Sequence, residues 1–243
     1  MILDSCDVPK QSNSLIRLLR AFPDYSKQMD GRGWLPLHWA VITDESSVSE
    51  DDVKAVYTSD PMALQRYHRN DSTFYGYTPA HLLCMQSVTQ RNMSLIQYFS
   101  VCNEHAFTMS AIEPDRNEPL LYSSSALHAA CQLGQPTEEL LKHLLQLDSS
   151  QTKKKCSENG YTRLGYLSKN SSCSDSLVAC LLEVDSSTDV VIGAIRNCLN
   201  SSDYTSMLGR EEMLLKANPE AAKYRDVNGM NLLHLIALNE KIP

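Results

Sequence analysis

The sequence predicts an all-α protein, a solenoid of stacked helix-turn-helix units with short hairpin tips. Three observations carry that expectation. One octet recurs five times with drift. Between the copies, apolar residues return at helical spacing. Pro23 and Pro219 each stand ten residues before an octet glycine, and Pro61 stands further ahead of Gly76, so a short turn leads towards the next copy. Self-similarity of this kind is the mark of a repeat protein and governs every later reading.

The first octet is Gly33-Trp34-Leu35-Pro36-Leu37-His38-Trp39-Ala40, and the second is Gly76-Tyr77-Thr78-Pro79-Ala80-His81-Leu82-Leu83. The third, Ser123 to Ala130, keeps Leu127, His128 and Ala130. The fourth, Gly160 to Leu167, is worn and has neither Pro nor His. The last runs from Gly229 to Ile236 with His234 in place. Glycine permits the positive φ of a tight turn. A Thr or Ser can cap the helix that follows, and Pro suits its first position. The octet therefore reads as turn, cap and helix start. It resembles the T-P-L-H-x-A signature of ankyrin repeats, and the resemblance extends over nearly the whole chain.

In chain order, residues 1–11 form a polar leader and 12–30 a truncated first repeat, whose one helix, capped by Ser14, ends near Phe22-Pro23. Repeats follow over 31–70, 71–117 and 118–155. Inner helices are expected near Pro36–Ile42 and Pro79–Gln86, and outer helices near Glu50–Thr58, Met93–Cys102 and Thr137–Leu145. Residues 103–122 are expected to be a long connection. Degenerate repeats cover 156–187 and 188–225, with helices at Ser176–Val184, Asp189–Leu199 and Glu211–Ala217. A terminal half repeat covers 226–243, and its helix has no outer partner in the sequence: either it caps loosely or the protein continues past Pro243. The octet histidines are 43 and 47 residues apart from His38 to His81 to His128. A standard ankyrin unit has about 33 residues, so the surplus is assigned to loops.

Composition limits the function. A net charge of −7 and a single short basic run, Lys153 to Lys155, argue against a nucleic-acid partner held through phosphates. No apolar run approaches membrane-spanning length, so no membrane insertion is expected. Eight scattered cysteines without a C-x-x-C pair, and no secretory signal, point to reduced thiols in a cytoplasmic protein, with the nucleus as a second location. No metal spacing, phosphate loop or cysteine–histidine pair stands out, so no cofactor and no enzymatic activity are expected.

His38, His81, His128 and His234 share one place in the octet. The resemblance implies that they make structural hydrogen bonds, together with the motif residues Gly33, Pro36, Gly76, Pro79, Gly160 and Gly229. The aromatics are more informative. Six of 17 fall beside the motif glycines: Trp34, Phe74, Tyr75, Tyr77, Tyr122 and Tyr161, joined by Arg32. In the family these tips and the open side of the inner helices form a concave binding surface. Aromatics and Arg are frequent interface anchors. The competing explanation is that several of the rings pack to stiffen the hairpins. The expected function is a non-enzymatic scaffold, monomeric on its own, that binds a protein along this face. The alternative is a substrate-recruiting or regulatory adaptor of a larger complex.

Overall fold

The computed structural model describes residues 12–67, 76–109, 125–133, 136–153, 162–170, 173–199, 209–225 and 228–237. Within them the regular structure is helical and no strand occurs. Helix α1 is Ser12–Ala21. Five helix pairs follow. They are α2 Pro36–Ile42 with α3 Glu50–Ser59, then α4 Pro79–Met85 with α5 Gln90–Cys102. A short α6, His105–Thr108, precedes the third pair, α7 Ala126–Leu133 with α8 Glu138–Leu147. The fourth is α9 Arg163–Lys169 with α10 Asp175–Val184, and the fifth is α11 Thr188–Leu199 with α12 Arg210–Ala217. Helix α13, Leu232–Ala237, comes last.

The pairs stack in chain order. The inner helices touch in the sequence α2, α4, α7, α9, α11 and α13. On the outer side α1 meets α3, α3 meets α5, and α8, α10 and α12 follow one another. Helix α6 touches both α5 and α8, so the 103–122 connection is not wholly irregular. Its Ala106 and Phe107 are buried at the same offset from a helix-ending Asn103 as Ala63 and Leu64 from Asp60. The prolines do open turns: Pro23–Lys27, Pro61–Gln65 and Pro219–Lys223 are single 3₁₀ turns, each with Pro at its start.

Caps fix where the helices begin. Ser49, Thr89, Thr137 and Thr162 each accept the N–H three residues on, at Asp52, Asn92, Leu140 and Gly165. Gly33, Gly76 and Gly229 share φ values of 77°, 73° and 74°, the left-handed turn that a side chain resists.

Two arginines tie one unit to the next. Arg91, in the first turn of α5, donates to the Ala40 and Thr43 carbonyls at the end of α2, both at 3.1 Å. Arg210, the first residue of α12, donates to the Leu167 and Asn170 carbonyls at the end of α9, at 3.2 and 2.8 Å. It also reaches the carbonyls of Ser168 and Cys173 and the Asp175 carboxylate. In both cases the guanidinium takes the helix-ending carbonyl and the one three residues before it. A cation at a helix C-terminus is favoured by the dipole and satisfies orphan carbonyls.

Candidate protein-binding surface

The octet histidine completes a helix cap. Leu35 N–H donates to His38 Nδ1 at 3.1 Å, and Thr78 N–H donates to His81 Nδ1 at 3.4 Å. The Thr78 hydroxyl lies 2.8 Å from the same nitrogen. An amide N–H only donates, so Nδ1 is the acceptor and the ring proton belongs on Nε2. Here imidazole does what Glu does in an ordinary capping box. His38, His81 and His128 are fully buried. His234 repeats the pattern, with Nδ1 accepting from Asn231 N–H at 3.3 Å, but it is exposed. Gly160 lies outside the described residues. The fourth unit has Gly165 where the others have His, and a Cβ there would stand 2.4 Å from Asn197 Nδ2 of α11. The Asn197 amide of the next inner helix lies directly against this position.

The expected binding stripe changes in two ways. First, Trp34 is not an exposed anchor: it is 4 % exposed. It stands one residue before the Leu35 cap and packs on Trp39, centroids 4.9 Å apart, and on His38 at 5.7 Å. That is the five-residue spacing of a hydrophobic staple, which fixes the entry angle of the chain. Tyr77 occupies the same place before Thr78, with its ring 5.7 Å from His81 and partly buried against the core. The spacing was present in the sequence as a staple signal. Phe74, Tyr75, Tyr122 and Tyr161 lie outside the described residues.

Second, three of the inner helices, α4, α7 and α9, do not offer an open face along the stack. Every residue is buried from Pro79 to Cys84, from Ala126 to Cys131, and from Arg163 to Ser168. The sequences of α4 and α7 are apolar nearly all round, which fits a helix covered on every side, whereas α9 buries Arg163 and Ser168 as well. What stays accessible is their C-terminal ends, at Ile42, Thr43, Met85, Gln86, Lys169 and Asn170.

Helix α2 is different because it carries Trp39, 39 % exposed. Asp30 organises everything around this ring. Its Oδ1 accepts the N–H groups of Arg32 and Trp34, both at 2.9 Å. Its Oδ2 accepts the Trp39 indole N–H at 2.9 Å. The Asp30 N–H donates to the Trp34 carbonyl, and Gly33 N–H donates back to the Asp30 carbonyl, closing the tip. Desolvation pushes the Asp30 carboxyl up, but the bonds from Trp34, Trp39 and Arg32, with the Arg32 charge, outweigh it and hold the carboxyl below its ordinary range. The Arg32 guanidinium lies 5.9 Å from the Trp39 ring centre, a cation–π contact. Arg32 thus keeps the exposed position that the sequence assigns it. Trp39, present in the octet but not beside its glycine, is the functional candidate that the tip reasoning missed.

Other exposed apolar side chains gather nearby in sequence. Leu18, Phe22, Tyr25 and Met29 are exposed, with the Phe22 and Tyr25 rings stacked at 5.4 Å.

Elsewhere the chemistry is quiet. The described cysteines are free thiols, and burial pushes Cys84 and Cys131 far up and Cys198 up to about 12. A thiol raised this way is a poor nucleophile. Among the described residues, no group of three or more His, Cys, Asp or Glu is placed to hold a metal ion, and no helix is long and apolar enough to cross a membrane. No protein-family model matches the chain, and no curated protein matches it in sequence.

Proposed function

We propose that the chain is an ankyrin-type repeat scaffold without enzymatic activity, and that it binds a protein partner at the tip of its first full unit. The ankyrin reading is supported by the turn glycines of positive φ, the capped histidines and the chain-ordered stacking of helix pairs. The binding reading rests on Trp39. Its ring is exposed, its indole N–H is held by Asp30, Arg32 lies over it and Trp34 supports it from below. A Trp–Arg pair held rigid before binding loses little conformational entropy on contact, and these two residue types dominate interface hot spots.

The experiment is a pulldown with mass spectrometry, comparing the wild-type chain with Trp39→Ala and Arg32→Ala. Helical circular dichroism confirms that each variant is folded. Trp34 is left intact because its loss would undo the tip itself. The expected result is loss of a specific partner in both variants. A folded Trp39→Ala chain that keeps every wild-type partner would end this reading.

A further inference from the structure

We propose that a cavity at the end of α2 receives a cationic side chain, arginine or lysine, from the protein partner. The inference rests on the protein-binding reading above and adds the partner's chemistry. The cavity holds about 280 Å³ and lies between the end of α2 and the start of α5. That is below the usual range for drug-sized ligands and suits one extended side chain. It lies on the same helix as Trp39, one turn on: the hydroxyl of Thr43, a lining residue, donates to the Trp39 carbonyl at 2.7 Å.

The lining fits a cation with an aliphatic stem. Val41 and Ile42 supply apolar wall, and Asp44 and Glu45 supply carboxylates. Long basic side chains bury their methylenes and keep the charge at the polar end. Arg91 is the cation that lines the cavity, and its terminal nitrogens are already committed to the Ala40 and Thr43 carbonyls. Four carboxylates, Glu45, Asp44, Glu50 and Asp52, act on that guanidinium. Lys54 neutralises only Glu50 among them. With Arg91 itself counted, four carboxylates stand against two cations, so the local field is negative, as is the whole chain at −7, and it attracts a basic partner.

A second, independent observation is Asn92. It lines the cavity at 7 % exposure, and its Nδ2 donates to the Ser87 carbonyl at 2.9 Å. Its Oδ1 is buried without a hydrogen-bond partner. A buried acceptor in that state is rare, and an N–H donor entering the cavity beside it is one group that would satisfy it.

The test uses the full chain and fluorescein-labelled Gly/Ser peptides carrying two Arg, two Lys or two Glu, followed by anisotropy at low salt. The expected result is saturable one-to-one binding of the Arg or Lys peptide and none of the Glu peptide. Asp44→Asn/Glu45→Gln should weaken it about tenfold. Removing exposed carboxylates elsewhere, with Glu104→Gln/Glu183→Gln, should leave it within about twofold. Equal binding of the acidic peptide, unchanged binding by the Asp44/Glu45 variant, or binding of spermidine as tight as the peptide overturns the proposal. If Asp44→Asn/Glu45→Gln retains partners that Trp39→Ala loses, the protein-binding reading stands and this one falls.

Discussion

Arg91 joins the first unit to the second, and Arg210 joins the fourth to the fifth. The two reach equivalent carbonyls, yet their surroundings differ. Arg91 is half-buried, and its Nε has no hydrogen-bond partner. Arg210 is 3 % exposed, and its Nε pairs with Asp175 at 2.8 Å. At the first junction a recognisable octet supplies His38 and a staple, so the arginine is one support among several. At the other, the octet has lost its Pro and His, and the guanidinium gathers four carbonyls from the end of α9 and the turn after it. In repeat proteins stability is close to a sum of unit and neighbour terms. The comparison teaches that where the octet has neither Pro nor His, the arginine of the neighbouring unit makes more of the bonds that hold the helix end.

The largest expected effect follows from that difference. Arg210→Met leaves buried carbonyls without donors and should cost about 3–5 kcal/mol. Arg91→Met should cost less, about 1–2 kcal/mol, because one of its two carbonyls, that of Thr43, belongs to a residue lining an open cavity where water can replace the lost donor. Chemical denaturation followed by circular dichroism gives both values. Equal losses would mean that the two clamps carry the same weight.

A pair of glycines sharpens the same point. Gly165 stands in the histidine position of the worn octet and Gly193 lies inside α11. A Cβ on Gly193 would meet nothing within 4 Å, whereas one on Gly165 would stand 2.4 Å from Asn197 Nδ2. Alanine is worth about 1 kcal/mol over glycine in a helix interior. Gly193→Ala should therefore stabilise by up to about 1 kcal/mol. Gly165→Ala should destabilise by about 1 kcal/mol, because overpacking a buried site outweighs the gain in propensity. Adding Asn197→Ala to Gly165→Ala should remove part of the clash, visible as coupling between the two changes. A stabilising Gly165→Ala would show that Asn197 moves aside freely.

These cases also mark how far the sequence could be read. Helix positions were legible because Pro36, Pro79, Thr137 and the apolar spacing act locally: α2 spans Pro36–Ile42, and α8 begins after its Thr137 cap. The clamps were not, because Arg91 and Arg210 act across 37 to 51 residues and nothing beside them announces the carbonyls they reach. The tip was half legible. Arg32 and the aromatic positions could be named, but whether Trp34 or Trp39 faces solvent depends on Asp30, whose side chain selects the outer ring by its indole bond. The burial of α4 and α7 on every side is signalled by their apolar circumference, while that of α9 is not, because its Arg163 and Ser168 read as polar until their neighbours are known.

The smallest effect belongs to the junction between the second and third units. There Ser100 Oγ of α5 lies 2.8 Å from His143 Nε2 of α8. Burial lowers the His143 pKa below the ordinary 6.5, against an opposing pull from Glu139. The sign follows from proton counting. As pH falls below the unfolded value the unfolded chain takes up this proton first, so acid favours unfolding through His143 and stability rises with pH across that window. The ring is half-buried and partly screened, so the contribution should stay under about 1 kcal/mol. His143→Gln keeps an amide able to reach Ser100 and removes the titration. Melting temperatures of both proteins from about pH 7 to about pH 5 should converge towards acid pH, with the wild type losing more. Parallel curves would mean that His143 titrates as it does in the unfolded chain, and that this junction, unlike those held by Arg91 and Arg210, carries no buried charge cost.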